Sequence, residues 1–251
     1  MLKITVKFLL MTFPESLRFK LYRFLATTFK HQFPIKNMFQ HINLIKDMGF
    51  TPSFIIDVGA YIGDWTKDVI KIFPESKFLM VEPQPSKSSR LTNFANSHHL
   101  VSFESKLVGE SEKRDVKFFD METGSSIYEE NTSFGRSITY LPMTTLDKLA
   151  IFHELKGEGL LKLDVQGAEL DVLKGAKNIL SSIEFLLLEV STLNYNQGAP
   201  LVAEVISLLD GIGYCIFDIC DERRTENNVL FQIDILFVKK SSKYRAIVDF
   251  K

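Results

Sequence analysis

Residues 54–65, FIIDVGAYIGDW, decide the fold of this chain. A short apolar run reaches Asp57, and two glycines, Gly59 and Gly63, then open a predicted helix. Many α/β folds use such a turn to bring backbone close to a nucleotide-like ligand, because a Cβ atom would block the approach. The spacing G-x-x-x-G differs from the dinucleotide fingerprint and lacks the Gly-Lys-Ser/Thr of a phosphate loop. The turn therefore indicates either a cofactor site or a tight connection that binds nothing.

A second predicted strand, residues 77–81 (KFLMV), ends at Glu82 and Pro83. The distance in sequence from the glycine turn to Glu82 is close to the distance at which a Rossmann-like unit places its ribose-binding acid. A free pair of ribose hydroxyls occurs in adenosine compounds generally, so Glu82 does not separate NAD from S-adenosylmethionine. The missing third glycine argues against a dinucleotide, since that residue makes room beside a pyrophosphate. A solvent-facing glutamate at a strand end is the alternative interpretation.

The order of elements predicts an α/β fold. Predicted strands cover residues 54–58, 78–81, 100–106, 115–120, 159–165, 184–190, 214–219 and 233–238, and predicted helices cover 36–48, 64–73, 86–97, 145–152, 168–180 and 200–209. The polar segment 122–139 is a predicted loop. Strands that alternate with helices predict a mostly parallel, doubly wound sheet with helices on both faces. The last two strands have no helix between them, which predicts an antiparallel strand at the C-terminal edge.

Acidic residues lie at the carboxyl ends of four predicted strands, at Asp57, Glu82, Asp164 and Glu189. In an open parallel sheet, ligands bind beyond the carboxyl ends of the strands, so these carboxylates are expected along one rim. Any single acid of this kind can instead cap a helix or face water. Together they favour a ligand with positive charge and hydroxyl groups, as in S-adenosylmethionine, whereas the pyrophosphate of NAD would be repelled.

Bulk composition bounds the remaining possibilities. With 251 residues and a net charge of −1, the chain suits one α/β domain and has no electrostatic bias toward nucleic acid. Cys215 and Cys220 lie on one predicted strand at an odd separation, which places them on opposite faces and argues against a mutual disulfide. We therefore expect a reducing compartment and a cytoplasmic protein.

The N-terminal part of the chain differs from the rest. Residues 1–36 carry seven Lys and Arg residues and one acid, Glu15. Apolar positions between residues 17 and 28 have helical spacing, and the apolar run 8–13 is too short to cross a bilayer. A basic amphipathic helix fits peripheral contact with an anionic membrane surface, and the alternative that we favour is a helix packed on the main domain. We predict a helical extension over residues 1–50 and a catalytic domain over 51–251.

Six segments resemble the FkbM-type methyltransferases in the same order along the chain. They are IIDVGAYIG, VEPQP, GSSIYEE, LLKLDVQGAELDVLKGA, LLLEVS and IDILFVKK, which together span about residues 50–240. The most specific of them is LKLDVQGAELDVLKGA, whereas the glycine turn is shared far more widely. The resemblance implies a Rossmann-like class I methyltransferase fold and S-adenosyl-L-methionine as the cofactor.

The resemblance also implies roles for individual residues. The implied cofactor-binding residues are Asp57, Gly59, Ala60, Tyr61, Gly63, Glu82, Pro83, Ser125, Ser126 and Asp164. Asp164 is the first candidate for a catalytic base and Glu189 the second, and no metal ligands are assigned. Two positions depart from the family pattern, because Tyr61 stands where Asn is usual and Gln166 where Glu is frequent. A flexible polar loop remains an alternative for the two serines.

The implied reaction is O-methylation of a hydroxyl on a sugar, glycan or related metabolite. Segments 122–139, 194–199 and 221–229 are expected to build the acceptor pocket. One rival hypothesis is a non-catalytic, cofactor-binding module in a glycan-assembly complex, and a more distant one is an NAD-linked oxidoreductase. An assay with labelled S-adenosylmethionine distinguishes the first rival from an active methyltransferase, because a non-catalytic module would bind the cofactor without transferring its methyl group.

Overall fold

A seven-stranded sheet forms the centre of the computed structural model, which describes residues 37–245. The helices of this part are α1 (Met38–Asp47), α2 (Asp64–Ile72), α3 (Pro85–Asn96), α4 (Leu146–Phe152), α5 (Glu169–Lys174) and α6 (Val202–Gly211). The strands are β1 (Phe54–Val58), β2 (Lys77–Val81), β3 (Val101–Glu104), β4 (Leu107–Val108), β5 (Lys113–Asp120), β6 (Ser137–Thr144), β7 (Gly159–Leu163), β8 (Ile183–Ser191), β9 (Tyr214–Arg224) and β10 (Leu230–Lys239).

The strand order of the large sheet is β3-β2-β1-β7-β8-β10-β9. Every pairing from β3 to β8 is parallel, and β10 runs antiparallel to both of its neighbours. The predicted antiparallel strand at the C-terminal end is therefore present, but it lies one position inside the edge. The hairpin between β9 and β10 allows this, because β10 pairs with β8 on its other side and leaves β9 at the edge.

Helices cover both faces of this sheet. Apolar residues of α4, α5 and α6 pack with one face, and those of α1, α2 and α3 pack with the other. Every residue of β1 and β8 is buried, which explains why both strands are almost continuously apolar instead of alternating. Within β1, Ile56 faces the first set of helices and Ile55 faces the second.

A second, three-stranded sheet of order β4-β6-β5 was only partly predicted. The predicted strand 100–106 contains β3 of the large sheet, whereas β4 of the small sheet begins just after it and was not predicted. The predicted loop 122–139 is wrong over its last three residues, where β6 begins. The predicted helix 168–180 ends already at Lys174, and Gly175 follows it at a position where a Cβ would lie 2.1 Å from the carbonyl oxygen of Gly109.

Helix α1 packs on the main core through His41, Ile42 and Ile45, which are all buried. Its His41 Nε2 lies 3.2 Å from Asp218 Oδ2 on β9. The basic segment and the predicted helix between residues 17 and 28 lie outside the described residues. Between residues 37 and 245, no helix is long and apolar enough to span a bilayer.

Both cysteines lie on β9 and are free. Cys215 and Cys220 nevertheless contact the same apolar cluster, so their predicted placement on opposite faces is wrong. Two irregularities in the pairing of β9 with β10 lie between them and interrupt the alternation of side chains.

Candidate active site

The four predicted acids lie at the carboxyl edge of four neighbouring strands. Glu82 follows β2, Asp57 lies near the end of β1, Asp164 follows β7 and Glu189 lies near the end of β8. Glu82, Asp57 and Glu189 are buried, whereas the Asp164 side chain is 31% exposed. The sheet thus gathers acids that are more than a hundred positions apart in sequence, and Asp164 is the most accessible of them.

Asp57 is paired with a lysine that sequence reasoning missed. Lys162 is its direct neighbour in the register of β1 and β7, and Lys162 Nζ lies 3.0 Å from Asp57 Oδ1. The Thr66 hydroxyl donates to the other carboxylate oxygen at 2.7 Å. Burial opposes the charged lysine, but the ion pairs with Asp57 and Asp164 outweigh it and raise the pKa of Lys162. A lysine within the apolar run GLLKLDV was the available signal.

Lys162 also connects this ion pair to the glycine turn. Its ammonium donates to the Gly59 carbonyl at 3.2 Å and lies 3.5 Å from Asp164 Oδ2. Asp57 lies beneath the turn and lines neither of the two cavities described below. We therefore assign it a supporting position under the predicted cofactor site.

The glycine turn requires glycine for two physical reasons. Gly59 and Gly63 have φ angles of +78° and +81°, in the left-handed region that side chains disfavour. In addition, a Cβ at Gly59 would lie 1.8 Å from the carbonyl oxygen of Asp164. The Cβ would collide with protein backbone and not with a ligand. The main effect of this glycine is therefore to let the ends of β1 and β7 approach each other, and its effect on the cleft above them is secondary.

Tyr61 adopts an unusual backbone conformation for its residue type. Its φ angle is +49°, a region that Asn tolerates better than Tyr, which gives a physical meaning to the departure from the family pattern. The phenol donates to Glu122 Oε2 at 2.8 Å, and Lys87 Nζ lies 4.6 Å from the ring centroid. Lys87 also forms an ion pair with Glu122. These contacts fasten the start of the predicted loop 122–139 beside the glycine turn.

Glu82 accepts two backbone hydrogen bonds, from the Tyr61 N–H at 2.8 Å and the Gln84 N–H at 2.9 Å. Burial raises the pKa of Glu82, and the two hydrogen bonds oppose this rise. Each carboxylate oxygen has more than one lone pair, so both remain able to accept from a ligand. Pro83 has no backbone N–H and stands where β2 ends.

A cavity of about 230 Å³ opens over this edge of the sheet. The predicted site residues that line it are Gly59, Tyr61, Glu82, Pro83, Ser125, Ser126 and Asp164. Of the other predicted residues, Ala60 lines a second cavity of about 480 Å³, while Gly63 and Glu189 line neither. The two cavities share Gly59, Tyr61, Asp164 and Arg223.

The two serines line the first cavity, but both hydroxyls already have partners. Ser126 is buried and its hydroxyl donates to the Gln166 carbonyl at 2.8 Å. The Ser125 hydroxyl donates to the Glu122 carbonyl, also at 2.8 Å. The pair therefore fixes the wall of the cavity.

Gln166 joins the two candidate bases. Its amide Nε2 lies 3.0 Å from Asp164 Oδ1 and 2.6 Å from Glu189 Oε1. Arg223 Nη2 lies 3.0 Å from the other Glu189 oxygen. Burial raises the pKa of Glu189 to about 8, with a further contribution from Asp164 and an opposing one from Arg223. A glutamate at position 166 would bring a third carboxylate here, whereas glutamine donates to both acids.

Glu169, at the start of α5, stabilises the turn that carries these residues. Its carboxylate accepts the backbone N–H groups of Val165 at 3.3 Å and Gly167 at 3.1 Å. Burial raises the pKa of Glu169 to about 7. Between residues 37 and 245, no group of three or more His, Cys, Asp or Glu side chains is placed to hold a metal ion.

The sheet, its two helical layers and its acidic carboxyl edge define a Rossmann-like class I methyltransferase fold. Residues 57–216 match the family model of the methyltransferase FkbM domain, and the chain belongs to this family. The predicted family and fold class are thereby confirmed.

Individual relatives are more distant. The chain is 29% identical over 144 residues to "Methyltransferase 1" of Beauveria bassiana (strain ARSEF 2860), a match that covers 49% of this chain and 58% of that protein. The methyltransferase FkbM of Methylobacillus flagellatus KT aligns with a TM-score of 0.46 and 17% identity, over 74% of this chain and 44% of that one. The magnesium protoporphyrin IX methyltransferase of Synechocystis PCC 6803, solved with bound SAM, aligns with a TM-score of 0.43 and 9% identity, over 89% of this chain and 81% of that one.

Proposed function

We propose that this protein transfers a methyl group from S-adenosylmethionine to a hydroxyl oxygen of a sugar, glycan or related metabolite. The observation that supports this most strongly is the set of acids on four neighbouring strands around a glycine turn. The donor carries a sulfonium, an ammonium and two ribose hydroxyls, which are the groups that carboxylates attract. A pyrophosphate at the same edge would meet like charge.

The residues present fit this donor. Glu82 lies in the cavity with free lone pairs, as a ribose-binding acid requires. The glycine turn at Gly59 presents backbone without side chain between the two cavities. The donor supplies an activated methyl group, whose bond to sulfur breaks as the bond to the acceptor oxygen forms, leaving a neutral thioether.

Asp164 is the base in this proposal. A hydroxyl is a weak nucleophile and gives up its proton as it attacks, so a carboxylate within reach of it is required. Asp164 is partly exposed, lines both cavities and is oriented by Lys162 and Gln166. The proton from the acceptor hydroxyl moves to its carboxylate.

Glu189 serves a supporting role in the same proposal. Its oxygens are occupied by Gln166, Arg223 and the Gln232 amide at 2.7 Å, and it is buried. Through Gln166 it holds Asp164 in place without reaching either cavity.

Turnover of labelled S-adenosylmethionine with sugar and glycan acceptors tests the proposal. We expect Asp164→Asn to lower turnover about 100-fold or more, in the range that general bases contribute. The binding of S-adenosylhomocysteine to this variant should change little, because the carboxamide keeps the shape of the side chain. Asp210→Asn is the control, since Asp210 lies on α6 and pairs with Lys240 away from the site. Wild-type turnover in Asp164→Asn would remove the base assignment, and cofactor binding without any turnover would favour a non-catalytic module.

A further inference from the structure

Three acids form a row across the last three strands of the large sheet. Asp234 on β10 lies directly opposite Glu189 on β8 and opposite Asp221 on β9. Like charges in directly opposed positions destabilise a sheet, so such a row has a cost in stability. Arg223 lies beside the row, but its guanidinium contacts Glu189.

Asp234 is the member of the row that has no partner. The residue is 5% exposed, and its carboxylate forms no hydrogen bond or ion pair with any residue between 37 and 245. A carboxylate in this condition depends for its hydrogen bonds on water or on a ligand in the cavity that it lines. Burial and the nearby charge of Asp164 raise the pKa of Asp234 to about 7, although Arg223 opposes this.

This carboxylate belongs to the wall of the second cavity, whose volume is about 480 Å³. Asp164, Asp221 and Arg223 line the same cavity, as does Trp65 at the start of α2. The cavity therefore has the proposed base in one part of its wall and an unsatisfied acceptor in another. An aromatic ring beside carboxylates suits the apolar face and the hydroxyl groups of a sugar-like molecule.

We propose that the second cavity binds a polyhydroxylated acceptor and that Asp234 accepts a hydrogen bond from one of its hydroxyl groups. This inference rests on the proposed function and adds the place where the acceptor binds and a residue that binds it. A neutral polyol satisfies Asp234 without adding a second positive charge beside the cationic methyl donor. An amine would satisfy the carboxylate but would be repelled by that donor.

The test uses the full chain saturated with sinefungin, a donor analogue that carries an ammonium group in place of the sulfonium, and three probes: methyl glucoside, glucosamine and n-butylamine. Saturation-transfer NMR measures their binding to wild type, Asp234→Asn and Asp210→Asn. Asp210 is the control, because it lies on α6, pairs with Lys240 and lines neither cavity. We expect wild type to bind methyl glucoside, and Asp234→Asn to bind it about tenfold or more weakly, as for a lost hydrogen bond to a charged group. The control should bind it as wild type does.

Two further measurements separate this result from simpler causes. Asp234→Asn should unfold at the same temperature as wild type or higher, because it removes a buried acid that lies directly opposite two other acids. Its affinity for S-adenosylhomocysteine should be unchanged. Equal methyl glucoside binding in wild type and Asp234→Asn, no binding of either sugar, or binding of n-butylamine alone would overturn the inference while the proposed function stands. Failure of wild type to bind S-adenosylhomocysteine would overturn the proposed function and this inference with it.

Discussion

Residue 59 has to be glycine because of two separate demands. The backbone there has a φ of +78°, and the carbonyl of Asp164 occupies the place of a Cβ atom. Gly198 meets only the first demand, because its φ is +76° and nothing lies within 4 Å of the Cβ that it would carry. The pair therefore separates the cost of the left-handed conformation from the cost of the collision between β1 and β7.

Alanine at these two positions should give unequal losses of stability. Gly198→Ala is expected to lower the free energy of unfolding by about 1–2 kcal/mol through the left-handed φ alone. Gly59→Ala should lower it by more than about 3 kcal/mol, since backbone has to move, and should weaken S-adenosylhomocysteine binding as well. Denaturant unfolding and calorimetric titration measure both quantities. Equal losses in the two variants would show that the approach of Asp164 to Gly59 is unimportant.

At the same scale, the sequence predicts some site residues well and misses others. Asp57, Glu82 and Asp164 could be placed because each follows a recognisable apolar strand, and strand ends of a parallel sheet share an edge. Lys162 could not be assigned as a partner of Asp57, because their pairing depends on the register of β1 and β7. Arg223 lies in the segment 221–229 that is expected to build the acceptor pocket, but nothing in that polar stretch singles out this residue or predicts that β9 extends over it.

Among the elements, strands β1 and β7 are joined by side chains as well as by backbone hydrogen bonds. Lys162 and Asp57 are almost fully buried and face each other across the two strands. Removing one member of a buried pair leaves the other charge without compensation, which is more costly than removing a surface pair. This ion pair also holds the carbonyl of Gly59, so it connects the packing of the sheet to the site.

Lys162→Met should therefore lower the free energy of unfolding by about 3–5 kcal/mol. Lys71→Met is the matched control, because Lys71 pairs with Asp68 on the exposed side of α2, and it should cost less than about 1 kcal/mol. Chemical denaturation of the two variants gives the comparison. Similar small losses in both would mean that Asp57 does not need its buried partner.

The elements themselves follow from local patterns where the pattern is strong. β1 and β8 were predicted almost residue by residue because their sequences are almost continuously apolar. β6 was missed because seven of its eight residues are not buried and it lacks that pattern. The position of β10 inside the edge depends on which neighbour it pairs with, and this cannot be inferred from its own residues.

Across the whole molecule, buried carboxylates make the stability depend on pH. The pKa values of Glu169, Glu189 and Asp234 are raised to about 7, 8 and 7, above their ordinary values near 4. The folded protein therefore keeps these protons to a higher pH than the unfolded chain does. Since the folded state binds more protons between the two sets of values, the free energy of unfolding decreases as the pH rises through this window.

We accordingly expect the thermal midpoint to be highest near about pH 5 and to fall steadily toward about pH 8. Calorimetric scans of the full chain across this range measure the trend. Glu189→Gln removes one of the three groups and should make the decline shallower. A midpoint that rises or stays constant over the same range would show that these carboxylates titrate at ordinary values.

The central claim is that the acidic edge of the sheet binds a cationic methyl donor and not a dinucleotide. The most direct measurement is a calorimetric titration of the full chain with S-adenosylmethionine, S-adenosylhomocysteine and NAD under one set of conditions. We predict that both adenosyl compounds bind and that NAD binds at least about tenfold more weakly, because its pyrophosphate meets the carboxylates around Gly59. Tighter binding of NAD than of S-adenosylhomocysteine would contradict the account.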